Sequence, residues 1–166
     1  NGIAPIALLS LLKHPYAAGG IEPAQLRQHV RCLELKLRRG PRTGKGFSAL
    51  KAAMQDANRR EDQVLNKLID GLEQIITPFA LLFEMPEVPL KDLLVSHVQL
   101  AEALATTSEK DGQDRLWGGK DGEALALFFA ELNEAASSLG SIKAMHYPAL
   151  IDVLLGARVH RPAYGR

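Results

Sequence analysis

Apolar residues recur along this chain at helical spacing, and proline or glycine breaks nearly every run. Ile6, Leu8, Leu9, Leu11 and Leu12 follow Pro5, which suits a first helical turn because the N–H it lacks would go unpaired there. The segment is apolar on most sides, which predicts a central helix. His14-Pro15 should end it, since the residue before proline resists helical geometry, and "AAGG" makes the turn. From Glu22-Pro23 onward, Leu26, Val30, Leu33 and Leu37 fall at i, i+4, i+7 and i+11, one face of a second helix that stops at Gly40-Pro41.

Phe47, Leu50 and Met54 mark a short amphipathic stretch. The strongest pattern is Val64, Leu65, Leu68, Ile69, Leu72, Ile75 and Ile76, expected to close at Thr77-Pro78. Phe79, Leu81, Leu82 and Phe83 then form an apolar patch before the proline-punctuated loop "EMPEVP". Leu90, Leu93, Leu94, Val98, Ala101 and Leu104 predict another helix, and "TSEKDGQDRLWGGKDG" a long polar loop. Two more helices follow, one on Leu125, Phe128, Phe129, Leu132, Ala136 and Leu139, and one on Leu150, Ile151, Val153, Leu154 and Leu155 with Pro148 in its first turn. No segment alternates with period two, and only "ARVHRP" has the makings of an extended piece. The expectation is an all-α fold of about six or seven helices round one core.

Length fits a single domain spanning 1–166, able to bury about two thirds of its unfolded surface. With 46% apolar and 23% charged residues the composition is that of an ordinary globular chain. A net charge of +1 means that any affinity for polyanions must come from local clustering. The single cysteine, Cys32, excludes an internal disulfide and a multi-cysteine zinc site, and points to a reducing, cytoplasmic home. The longest apolar run is too short to span a bilayer and lacks the flanks of a signal peptide. The chain starts without methionine and runs out on the basic strip "VHRPAYGR", so it is expected to be a piece of a larger protein, with 157–166 returning toward the parent.

"RRGPRTGKGFSALK" is the stretch nearest to a phosphate-binding loop, and it fails the test. Gly40 and Gly44 are one residue too close, Gly46 stands where the magnesium-holding Ser or Thr belongs, and a helix rather than a strand precedes it. What it does offer is charge. Lys36, Arg38, Arg39, Arg42, Lys45 and Lys51 occur with no acidic residue between Glu34 and Asp56. Such a cluster can pair with nucleic-acid phosphates; it can equally be a solvated helix end, where cations are favoured by the helix dipole.

The five histidines sit on different segments without metal-ligand spacing. Cys32 has Arg31 and Lys36 nearby, which would lower its pKa, but it flanks an apolar face and reads as a core-edge residue. No nucleophile motif is present. Glu61-Asp62 and Asp111 with Asp114 read as surface charges, and Trp117 as an anchor for the polar loop rather than a base-stacking platform. No catalytic, cofactor or metal residue is assigned.

Four segments in order, "PIALLSLLKHPYAAGG", "LELKLRRGPR", "LWGGKDGEALALFFAEL" and "YPALIDVLLGARVHRPAYGR", resemble the AddB subunit of the bacterial AddAB-type helicase–nuclease, in its alphaproteobacterial form. The resemblance runs nearly the length of the chain. It implies the helical subdomain inserted in the second motor domain of a superfamily-one helicase plan, with "RPAYGR" re-entering the motor core. It also implies that the family's nuclease carboxylates, nucleotide loop, magnesium and iron–sulfur cluster lie elsewhere in the parent; a cluster needs four cysteines and this chain has one. The function implied is a non-catalytic domain in double-strand break repair that helps to hold single-stranded or forked DNA and packs against neighbouring domains and an AddA-like helicase subunit. By charge and turn placement the DNA contacts are Arg38, Arg39, Arg42 and Lys45. The alternative is a scaffold that meets the partner subunit without touching DNA.

Overall fold

The computed structural model describes residues 2–39, 43–54 and 60–156. It is all-α, as the periodicity predicts. Eight helices run in order among the described residues: α1 Pro5–Leu12, α2 Pro23–Arg39, α3 Phe47–Ala52, α4 Arg60–Leu82, α5 Leu90–Ala105, α6 Gly112–Leu116, α7 Gly119–Leu139 and α8 Tyr147–Gly156. A 3-10 turn, Ala144–His146, leads into α8. No helix among the described residues is long and apolar enough to cross a membrane.

The apolar side chains collect in two clusters rather than round one core. The chain accordingly divides into two compact units, Asn1–Thr77 with Leu100–Leu116, and Pro78–Gln99 with Trp117–Arg166. In the first, Leu26, Val30 and Leu33 of α2 are buried and Leu37 is half-buried, matching the stripe read from the sequence. Leu65, Leu68, Ile69, Leu72 and Ile76 of α4 complete the same core. Helix α1 buries only one face, Leu8 and Leu12; Ile6 is 79% exposed, so the expectation of a central helix fails.

The turn after α1 is tied to the end of α5. Leu104, in the last turn of α5, has a carbonyl with no helical partner, and it accepts from the N–H groups of Ala18 and Gly19 at 2.8 and 2.9 Å. Gly20 donates to the Thr106 carbonyl at 2.7 Å. Both glycines have positive φ, +60° and +85°, which side-chain-bearing residues rarely adopt. "AAGG" is therefore a built junction as well as a turn.

The second unit holds Val88, Leu90, Leu93, Leu94, Ala136, Ala144, Tyr147 and Ile151 as its core. It also contains the described strands, β1 Val88–Pro89 and β2 Ser141–Ile142, an antiparallel pair two residues long. Two other differences from the sequence reading have local causes. Helix α4 runs through Pro78 to Leu82, because Phe79 and Leu82 continue its apolar stripe onto the second core. The predicted polar loop contains α6 and the start of α7. Arg115 holds α6 in place by donating to the carbonyls of Tyr16 and Ala105. The possible extended piece "ARVHRP" and the return segment 157–166 lie outside the described residues.

Candidate nucleic-acid interface

The basic cluster is sorted by its acidic neighbours. Helix α2 ends on Lys36, Arg38 and Arg39. Lys36 turns inward and donates to the carboxylate of Asp62 in the first turn of α4. Asp62 is only 2% exposed, which corrects its reading as a surface charge; an acid buried this deeply needs a cation. On α3, Lys51 bridges Asp70 at 2.7 Å and Glu73 at 2.5 Å, and these two acids, Asp70 first, hold its pKa above the ordinary lysine value. Lys13 pairs with Glu34 at 2.8 Å, and that hydrogen bond keeps the Glu34 carboxyl below its usual range.

Arg38, Arg39 and Lys45 are different. All three are exposed, and none forms a salt bridge with another described residue. Arg38 and Arg39 share the solvent side of the last turn of α2, where the helix dipole favours cations. Lys45 stands in the turn that enters α3, and the backbone fixes its place. Gly46 has φ +90° and donates to the Ile3 carbonyl at 3.0 Å. A Cβ on Gly2 would sit 2.9 Å from the Gly46 backbone, so the amino-terminal segment is laid close against this turn. Arg42, the fourth predicted contact, lies outside the described residues. Helix α2 leads to the turn, where a phosphate loop would have a strand.

Elsewhere the candidate chemistry disperses. His14 accepts from the Tyr16 N–H at 3.3 Å, a helix-end role. His97 hydrogen-bonds the Tyr147 hydroxyl at 3.0 Å and stacks on Phe79. His146 is exposed in the 3-10 turn, and His160 is outside the described residues. Among the described residues no three His, Cys, Asp or Glu side chains gather as a metal site. Cys32 packs half-buried against the first core. Burial first, then a hydrogen bond and negative charge from Glu61, raise its thiol pKa above the usual value and outweigh Arg31 and Lys36. Asp111 and Asp114 are exposed, as expected. Trp117 meets Phe129 edge-on with ring centres 6.2 Å apart, the anchoring role the sequence assigned to it.

Sequence reasoning missed that Asp62 and Lys36 form one buried pair. A signal was present: Asp62 lies in register with Leu65, Ile69, Leu72 and Ile76, so the apolar stripe of α4 begins on an acid. No protein-family model matches this chain, and no curated protein or solved structure is significantly similar to it.

Proposed function

We propose that this chain is a non-catalytic helical domain of an AddB-like helicase–nuclease subunit, serving double-strand break repair by holding single-stranded or forked DNA. The observation that carries the reading is the separation of its cations. Acids neutralise Lys13, Lys36 and Lys51, while Arg38, Arg39 and Lys45 stay exposed and free of salt bridges among the described residues. Exposed cations at the end of a helix and in the turn beyond it are placed to track a phosphate backbone without reading bases. The resemblance in sequence supplies the parent, and the all-α class agrees with the helical insertion that it implies.

Fluorescence anisotropy of labelled single-stranded and forked DNA, at low and near-physiological salt, tests the reading. Binding that weakens steeply with salt is the expected result. No binding at low salt overturns it.

A second reading rests on a different surface. Leu81, Phe83 and Met85 are 52%, 39% and 50% exposed at the end of α4 and just beyond it. Apolar side chains concentrated in so short a segment fit a protein contact, here the AddA-like helicase subunit. Association with that subunit and no affinity for DNA would favour this scaffold role.

A further inference from the structure

Helices α5 and α7 of the second unit run in opposite directions, for Leu90 at the start of α5 donates to the carbonyl of Gly140 just past the end of α7. Between them lies an open groove of about 400 Å³. Its α7 wall is Ala126, Phe129, Ala130 and Asn133, spaced i, i+3, i+4 and i+7, so the groove follows that helix for two turns, about 10 Å. Val95, Val98 and Gln99 line the α5 wall. Val95 is 40% exposed, and Gln99 and Ala130 also face solvent. The lips of the groove are acidic. On α7, Glu123, Leu127, Ala130 and Glu134 fall at i, i+4, i+7 and i+11, and all four are exposed. On α5, exposed Asp92 stands three residues before Val95. None of these three acids forms a salt bridge with another described residue. Lys91 and Lys120 are the lysines that the two helices carry.

We propose that this groove docks an amphipathic helix of a partner protein, its apolar stripe on the groove floor and Lys or Arg on both flanks. A helix fits because its own backbone is already bonded. An extended peptide would lay unpaired N–H and C=O groups on walls whose backbone groups are taken up within α5 and α7. Ala126 and Ala130 are small enough to let a third helix come close. Basic flanks meet Asp92, Glu123 and Glu134, while acidic flanks are repelled. A second copy of the chain is a poorer occupant. The exposed apolar face of α1 is followed by Lys13, which Glu34 already holds, and that of α8 has Asp152 beside Ala149 and Val153. Neither face brings a free cation. The proposal goes beyond the DNA-holding reading and uses none of Arg38, Arg39 and Lys45.

Trp117, the single tryptophan, lines the groove, so its emission reports on the occupant. A displayed library of amphipathic helices without tryptophan is selected on the full chain, with the stripe varied among Ala, Leu, Ile, Met and Phe and the flanks among Lys, Arg, Gln and Glu. Enriched helices should carry basic flanks and change Trp117 emission saturably. They should bind at least about tenfold more weakly to Ala130→Arg, which fills the groove with a side chain of the repelling sign. The double variant Glu123→Lys, Glu134→Lys, at two exposed sites, should turn the selected flanks from basic to acidic. If either variant fails to fold, the amide shifts that an enriched peptide causes in the wild-type chain must centre on residues 95–99 and 126–134. Enrichment of no helix, flanks that ignore the lip charges, undiminished binding to folded Ala130→Arg, or shifts centred elsewhere overturns the proposal. So does a dimer of the chain alone that Ala130→Arg dissolves, which would place a second copy in the groove.

Discussion

Lys36, near the end of α2, holds the carboxylate of Asp62 at the start of α4, and the acid is the more deeply buried of the two: its side chain is 4% exposed against 21% for the lysine. The asymmetry sets an order of damage. Lys36→Met strands a charge that cannot reach water and should lower stability by about 3–5 kcal/mol. Asp62→Asn leaves a lysine that can swing outward, and should cost less. The double variant Lys36→Met, Asp62→Leu should recover most of the loss, because an apolar pair removes both desolvation penalties. Urea unfolding of the three variants checks the order. A loss for Asp62→Asn equal to that for Lys36→Met would show that the pair is not acting as a buried one.

Two glycines should respond to alanine in opposite directions. A Cβ on Gly112 would lie 1.8 Å from the Glu102 carbonyl oxygen, so the backbone itself would have to move. Gly112→Ala should lose about 1–3 kcal/mol, the usual range for overpacking. Gly71, inside α4, has nothing within 4 Å of that position. Gly71→Ala should gain about 0.5–1 kcal/mol, since alanine gives up less chain entropy in a helix. Thermal melting of the two variants reads both signs.

Which elements could be read from the chain depends on what holds each one. Helix α2 was legible because Leu26, Val30, Leu33 and Leu37 carry most of its buried face. Helix α8 was legible from its apolar run and Pro148 in its first turn, although of that run Ile151 is buried while Val153 and Leu155 are exposed. Helix α4 was cut too soon, because Pro78 removes one N–H while packing by Phe79 and Leu82 carries the helix onward. The β1–β2 pair was invisible. Two residues show no alternation, and the pair is extended by Leu90 donating to the Gly140 carbonyl at 3.0 Å, a partner 50 positions away. The same holds for the interface. Charge clustering was readable, but pairing partners such as Asp62, Asp70 and Glu73 become neighbours only when α4 folds onto α2 and α3.

His97 should make stability depend on pH. It sits among Phe79, Phe129 and Tyr147, and burial pushes its pKa below the ordinary value of about 6.5. Between the depressed folded pKa and 6.5 the unfolded chain binds the extra proton and the folded chain does not, so stability rises with pH. Its contribution is complete above about pH 6.5 and falls as the pH drops below that. In His97→Phe the part of the pH slope due to this residue should vanish, whatever the other histidines do. The variant should also lose about 1–3 kcal/mol at pH 8, because the hydroxyl of Tyr147, a residue 2% exposed, loses its partner. Melting from pH 8 to pH 5 in both chains separates the slope from the offset.

The sorting of the cations predicts which of them a DNA titration will feel. Each phosphate contact on a single strand contributes about 0.7 to the slope of log K against log salt. Replacing Arg38, Arg39 and Lys45 with alanine should therefore flatten that slope by about 2 and weaken binding evenly across sequences, since phosphates carry no base information. Lys51→Ala, which removes a cation already held by Asp70 and Glu73, should leave the slope within about 0.3 of the wild type. The contrast separates a tracking surface from general basicity. If all lysines and arginines of the cluster contribute alike, the ion pairs are not withdrawing their cations, and the placement of DNA at the end of α2 fails with them.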